Sequence, residues 1–471
     1  WTQISSNTFL GVCRSLHNWI TLGGQNLIGL GTHLKFYVEN IGNYNDVTPL
    51  RATVSLSNPF TTVSGSATVT VTDANGGYIN GDYVTFSNAS AVGGITIDGE
   101  YVVSSSAISA AGTYTITAAS NASSSATGGG TVSAAYQINV GNAFATILTG
   151  WGAASWGSGA WNVGESSVSP VRFWSQSNFG EDLIFGHAGG AIYYWDATGN
   201  VGTRAVSLSS LSGASDVPVV QNLILVSDIS RFVFCFGTNA LGSATLDPTL
   251  LRWSDQGDPT NWTPSEVTQA GDLQLSRGTK IVAARQSRQE VLVWTDSTLY
   301  SLQFVGGQAV WGATLIGENI SISSQNSVAY ANGVAYWMGK DKFYMYDGRT
   351  QPLKCDVRKY IFNDFDTDQY GQVFSGTNEA FHEVWWFYCS LGSTTIDKYV
   401  IYNYLEKIWY YGTLARTAWL DSGLRDKPLA ATYNLNLVDH EKGIDDNIGS
   451  SAAAISAFIE SSDFDIGDGD R

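Results

Sequence analysis

The sequence predicts an all-β protein: a β-propeller-like platform of about seven blades with an inserted small β-barrel or β-sandwich module. Three observations predict it: an unusual composition, a hairpin unit that recurs along the chain, and one long interruption of different texture. Of the 471 residues only 14% are charged, while 51 are Gly and the aromatics comprise 16 Trp, 23 Tyr and 20 Phe. Val, Thr and Tyr suit half-buried pleated strands, and Gly, Asn and Ser supply the turns between them.

The recurring unit is an apolar strand, a Gly/Asn/Asp turn and a second strand rich in Tyr or Trp. It begins with Asn26 to Thr32 followed by Leu34 to Val38, and returns as Leu183 to Gly186 with Ala191 to Asp196. Further copies pair Arg231 to Phe236 with Leu250 to Ser254, Val291 to Thr295 with Leu299 to Leu302, and Val334 to Met338 with Lys342 to Asp347. The last two pair Val384 to Tyr388 with Tyr399 to Asn403, and Leu429 to Thr432 with Leu435 to Val438. A small sheet that is apolar on both faces cannot stand alone, so such sheets stack radially until a ring closes and removes the outer partnerless faces. A tandem of β-sandwiches is the alternative arrangement of the same strands.

On this reading residues 1–50 begin the platform, 51–150 form the inserted β module, and 151–471 complete the platform with an acidic C-terminal segment. The insert has Arg51, Asp73, Asp82, Asp98 and Glu100 as its charged residues. Its strands are Thr68 to Thr72, Tyr83 to Phe86, Gly99 to Val103, Thr113 to Thr117 and Tyr136 to Val140. Ala118 to Gly130 reads as a loop, and Trp151 to Gly164 as a Gly/Trp-rich connector. Because Trp1 stands where an initiator Met is expected and Phe458 to Ile466 still alternates like a strand, the chain is expected to continue past both ends.

With 24 Lys plus Arg against 41 Asp plus Glu the net charge is −17, which disfavours a nucleic-acid reader with a basic face. Cys13, Cys235, Cys355 and Cys389 lie far apart with no CxxC pair, the pattern of buried free thiols rather than a zinc site or disulfide framework. The apolar runs are too short to span a bilayer. His17, His33, His187, His382 and His440 sit in no HExxH, GxSxG or comparable frame. We therefore expect no catalytic centre, no cofactor and no metal site. Alternate carboxylates in the segment Asp463 to Asp470 suit Ca²⁺, but the closing Glu of a calcium loop is missing.

One stretch carries more information than its composition. Leu251 to Pro264, LRWSDQGDPTNWTP, contains Arg252, Trp253, Asp255 and Trp262 and resembles the "RWSD…W-P" signature of tail-nozzle proteins of short-tailed bacteriophages. These are also called tail tubular protein B or packaged-DNA stabilisation proteins. Gly29 to Thr32 before Leu34 to Val38, Asp46 to Arg51, and Tyr344 to Gly348 are similar to further family stretches. The resemblance implies a sixfold homo-oligomeric ring in the virion tail, assembled in the host cytoplasm. It also implies contacts with a tail adaptor protein, tail fibres and the host cell surface, and packaged DNA passing through without sequence recognition. Family members usually open with a segment containing an Arg-Trp pair that this sequence lacks.

A receptor- or glycan-binding tail fibre or spike is the alternative function, suggested by the many Trp and Tyr. A propeller glycosidase is a third, and it requires paired carboxylates. Duplex DNA carries one charge per about 1.7 Å of axis, so a conduit is expected to avoid a basic wall. The acidic residues Asp463, Asp465, Asp468 and Asp470 are the candidate channel lining, with a solvated outer edge as the alternative.

Overall fold

The computed structural model describes residues 1–104, 112–147, 168–227, 230–307, 309–448 and 452–455. Seven four-stranded antiparallel sheets follow one another around a ring as blades I to VII. The predicted β-propeller is therefore the fold. Blade I consists of Cys13–Ile20, Asn26–Thr32, Phe36–Asn40 and Asn43–Asp46. Blade II consists of Trp174–Phe179, Asp182–His187, Tyr193–Trp195 and Val206–Ser207; blade III of Gln221–Val226, Val233–Asn239, Leu246–Trp253 and Gly271–Gln274. Blade IV consists of Ile281–Gln286, Val291–Thr295, Thr298–Gly306 and Val310–Glu318; blade V of Val328–Ala331, Val334–Met338, Phe343–Tyr346 and Thr350–Leu353. Blade VI consists of Phe374–Asn378, Glu383–Tyr388, Lys398–Asn403 and Ile408–Thr413. Each hairpin read from the sequence is the middle pair of one blade.

Closure comes from the two ends of the chain. Blade VII takes Ala418–Leu420, Leu429–Ala431 and Leu437–Asp439 from late sequence and Thr2–Gln3 as its outermost strand, with Thr2 opposite Asp439 and Gln3 opposite Val438. The hydrophobic cores tell the same story. One cluster lies between each adjacent pair of blades, from blades I and II, where Trp19, Phe36, Trp174 and Phe185 meet, round to blades VII and I, where Leu429 and Leu437 meet Ile28 and Leu30. Trp174, Trp195, Trp294, Trp337 and Trp386 are fully buried, as aromatics that fill the wedge between two sheets must be. Gly31 is required by one such wedge: a Cβ there would lie 2.5 Å from Trp174 Cδ1.

The interruption after blade I folds on itself. Leu50–Ser57, Thr131–Gln137, Tyr83–Ser87 and Gly99–Val102 form one sheet, and Gly112–Thr117, Thr68–Asp73, Phe60–Thr62 and Ala126–Gly128 form a second. Between them lies a core of Val, Ile, Phe and Tyr with no platform residue in it. The stretch expected to be a loop, Ala118 to Gly130, contains the edge strand Ala126–Gly128. It pairs with Phe60–Thr62 through small residues and threonine hydroxyls, which left no apolar strand pattern. Leu50 and Gln137 are register partners, which puts entry and exit of the insert side by side. Ile138 already belongs to the core between blades I and II. The connector Trp151 to Gly164 lies outside the described residues, as does the strand expected over Phe458 to Ile466.

Candidate functional site at the propeller axis

The first strand of every blade runs along the ring axis, and together these seven strands enclose a cavity of about 430 Å³. Its wall is polar: Ser15, Ser175, Gln176, Ser177, Gln286, Asn326, Ser375 and Thr377 all line it. The inner strands carry these residues because their outward edge has no sheet neighbour, so hydroxyls and amides meet the channel while apolar positions turn into the wedges.

Charge in the channel is sparse. Arg14 is 3% exposed; its Nη2 donates to Ala143 O at 2.9 Å and to the Gln372 side chain. Arg285 is half-buried, and its Nε reaches Val328 O at 3.5 Å. Asp421 is the carboxylate among the lining residues, and its Oδ2 accepts from Thr377 Oγ1 at 3.2 Å and from Glu379 N–H at 3.0 Å. Gln176 crosses from blade II to blade I, donating to Ser15 Oγ at 2.8 Å and Gly29 O at 3.1 Å.

A second polar centre fastens the insert to the platform. Lys35, on the turn of blade I, has a side chain only 4% exposed and sits 2.8 Å from Asp46 and 2.5 Å from Glu100 of the insert. Arg204, between the last two strands of blade II, completes the square at 3.3 Å from Asp46 and 3.7 Å from Glu100. Gln137 donates to Glu100 at 2.7 Å, and the Tyr83 ring lies 4.4 Å below the Lys35 ammonium. Burial alone would raise the Asp46 carboxyl, but Lys35 and Arg204 outweigh it and hold its pKa below the ordinary value.

The signature residues meet at one edge of blade III: Arg252 and Trp253 end the strand Leu246–Trp253, and Asp255 and Trp262 lie in the loop that follows it. Arg252 is 2% exposed and donates to the backbone oxygens of Asp216, at 2.8 Å, and Trp262, at 3.3 Å. Trp253 Nε1 donates to Gln269 O at 2.7 Å, and Asp255 Oδ1 accepts from the backbone N–H groups of Gln256 and Gln269. Trp262 is buried in the core between blades II and III. Asp463, Asp465, Asp468 and Asp470 lie outside the described residues.

The other polar residues raised by the sequence have structural surroundings. Burial, followed by the nearby Arg14, lowers His33 to about 4, and its Nδ1 accepts the Val12 N–H at 2.9 Å. Burial also lowers His187 to about 3. His440 accepts from Arg416 Nε at 2.9 Å. All four cysteines are free thiols. Among the described residues no group of His, Cys, Asp and Glu is arranged to hold a metal ion, and no helix is long and apolar enough to cross a membrane.

No family model and no curated protein matches this chain. Among solved structures it is similar to Hsv2 of Kluyvelomyces marxianus, with 9% identity and a TM-score of 0.34 over 56% of this chain and 74% of that one. The phage phi92 endosialidase has 12% identity and a TM-score of 0.22 over 97% of this chain and 68% of that one. An ancestral GH74 enzyme has 11% identity and a TM-score of 0.32 over 83% and 50%. Likenesses this distant say nothing about activity.

One surface feature had escaped the sequence reading. The outer strand of blade VI, Ile408–Thr413, exposes Ile408, Tyr410 and Tyr411, and Tyr411 lies 4.5 Å from the ring of Tyr360, itself half exposed on the short helix Arg358–Asp364. A sequence signal existed in the run Ile408 to Tyr411, four large apolar residues on what is an edge strand. Without knowing which strands were outermost, these were indistinguishable from core aromatics.

Proposed function

We propose that this protein is a non-catalytic structural component of a bacteriophage tail that works by presenting binding surfaces on a rigid platform. The observation that carries the proposal is the exposed Tyr360–Tyr411 pair on a protein in which Trp174, Trp195, Trp294, Trp337 and Trp386 are buried between blades. Exposed, tilted aromatic rings stack on sugar faces and on partner side chains.

Two finer roles follow from the same proposal. Receptor or glycan binding, as in a tail fibre or spike, has the more direct geometric support through the Tyr360–Tyr411 pair. The nozzle role, a sixfold ring that retains and releases packaged DNA, rests on the resemblance carried by Arg252, Trp253, Asp255 and Trp262. Imaging the assembled protein by electron microscopy separates them: a sixfold ring supports the nozzle, and a trimer supports the fibre or spike. For the binding role, Tyr411→Ala should weaken retention on host surface glycan by about tenfold, the cost of losing one stacked ring. Unchanged retention would count against that role.

A further inference from the structure

The ring closes on a short strand, with Thr2 paired to Asp439 and Gln3 to Val438. Behind that strand stands a cluster of rings around one cation. His440 is buried between the ring of Trp1, with centroids 5.6 Å apart, and the ring of Trp419, at 4.5 Å. Arg416, also buried, lies with its guanidinium 4.8 Å from the centre of the Trp1 ring, and its Nε donates to His440 Nε2 at 2.9 Å. Trp1 therefore ties the closing strand to blade VII through both residues.

An arginine nitrogen can only donate, so the bond from Arg416 requires His440 Nε2 to be bare and the imidazole neutral. Protonating that nitrogen removes the acceptor and sets two cations against each other inside a buried cluster. Burial first, then Arg416 and the amino group of Trp1, hold the His440 pKa well below its ordinary value. The neighbouring carboxylates are turned to other partners. Asp439 is held by Arg425 at 2.6 Å and Lys442 at 3.3 Å, and Asp446 favours the Arg416 charge without a salt bridge to it. In the flanking loops Lys427 donates to Glu441 O, and Asp445 O accepts from the Trp1 amino group at 3.0 Å.

We propose that His440 is a pH-sensitive latch on the ring: proton uptake by its imidazole breaks the Arg416 bond, releases Trp1 with the closing strand, and leaves Leu437–Asp439 as a free edge. With the Trp1 ring gone His440 meets water and titrates near its ordinary value of about 6.5, so below that pH each opening takes up one proton. A group whose pKa is depressed in the closed state stabilises that state above about pH 6.5 and loses its hold as the pH falls. The opened population then rises about tenfold per pH unit, which amounts to about 25-fold between pH 7 and pH 5. A freed edge is a template for another strand, so acid would make the closed ring competent for strand addition. The latch does not depend on the tail assignment.

Hydrogen exchange of the full chain, followed by mass spectrometry at pH 7 and pH 5 with labelling times scaled for the intrinsic pH dependence of exchange, tests the latch. The reporting amides are Ile4, which donates to Leu437 O at 3.0 Å, and Asn447, which donates to Trp1 O at 3.1 Å. In the native protein their opening should increase about 25-fold at pH 5. The variant His440→Gln offers Arg416 a neutral amide oxygen that does not titrate, and it should remove most of the increase. An acceleration arising from His33, His187 or the carboxylates survives in that variant. Equal acceleration in the two proteins therefore overturns the proposal. So does a native protein whose Ile4 and Asn447 amides open no faster at pH 5, an outcome that needs no variant to fold.

Discussion

The platform and the insert solve the same β-sheet problem in opposite ways. In the platform no blade owns a core: every wedge is shared by two sheets, so the unit of stability is the closed ring. The insert keeps a private core between its own two sheets, with a hydrogen-bonded polar network inside it. Asp73 accepts from Tyr136 at 2.7 Å, and Tyr136 and Tyr114 hydroxyls lie 2.6 Å apart. Its surface is kept wet by hydroxyls instead of charge, with Thr68, Thr70 and Thr72 opposite Thr117, Thr115 and Thr113. Sharing makes the ring cooperative, and privacy makes the insert removable. The square of Lys35, Asp46, Glu100 and Arg204 is the main polar tie between the two.

The largest effect is expected where sharing is most concentrated. Trp337 is fully buried, lies 5.5 Å from Trp294 and 5.3 Å from Tyr344, and donates to Ser321 O. Trp337→Ala should cost about 3–5 kcal/mol and lower the melting of the whole ring while leaving the insert's transition in place. Calorimetry resolves the two. A variant whose two transitions move together would show that the insert has no stability of its own.

The tie comes next. Lys35→Met keeps most of the stem's volume but leaves Asp46 and Glu100 facing each other with Arg204 as their one cation and the Gln137 amide as a neutral donor. Removing one partner of a buried ion pair costs about 3 kcal/mol. We expect the loss to appear as faster hydrogen exchange along Asp46 to Leu50 and at Gln137, measured by mass spectrometry. Exchange unchanged there would mean that the square adds nothing to the tie.

Inside the insert, Tyr136→Phe removes one hydroxyl from the Asp73 network and should cost about 1–3 kcal/mol, the penalty for leaving a buried acceptor short of a donor. Only the insert's transition should fall. A drop in the ring's melting temperature would break the claim that its core is private.

These contrasts also explain what the sequence revealed. The middle strands of all seven blades were legible because both of their faces are buried, which forces apolar and aromatic residues into a hairpin. The inner strands were not, since Arg14, Gln176 and Arg285 answer to a channel that exists only once the ring has closed. The signature residues Arg252, Trp253, Asp255 and Trp262 stood out as a motif, and the structure places them at one edge of blade III. Glu100 could have drawn attention as one of few charges in a nearly neutral segment, but its partners Lys35 and Arg204 are brought to it from two different blades.

The smallest and most discriminating expectation concerns pH. His33 and His187 belong to the platform, and residues 51–150 contain no histidine. Their folded pKa values, about 4 and about 3, lie below the unfolded value of about 6.5. Between those limits the unfolded chain binds more protons, so their contribution is present above about pH 6.5 and is lost as the pH falls toward 4. Protonating His33 also displaces the Val12 N–H from Nδ1. The insert runs the other way: burial raises the Asp82 carboxyl, so the folded insert holds that proton more tightly and gains relative stability as the pH falls through the raised value. The depressed Asp46 adds its loss only below about pH 4. Calorimetry from pH 7 to 4.5 should therefore show the ring's transition moving down while the insert's holds or rises, and His33→Asn should flatten the ring's slope. Parallel slopes for the two transitions, or a ring indifferent to pH above 5, would contradict this assignment of the buried histidines.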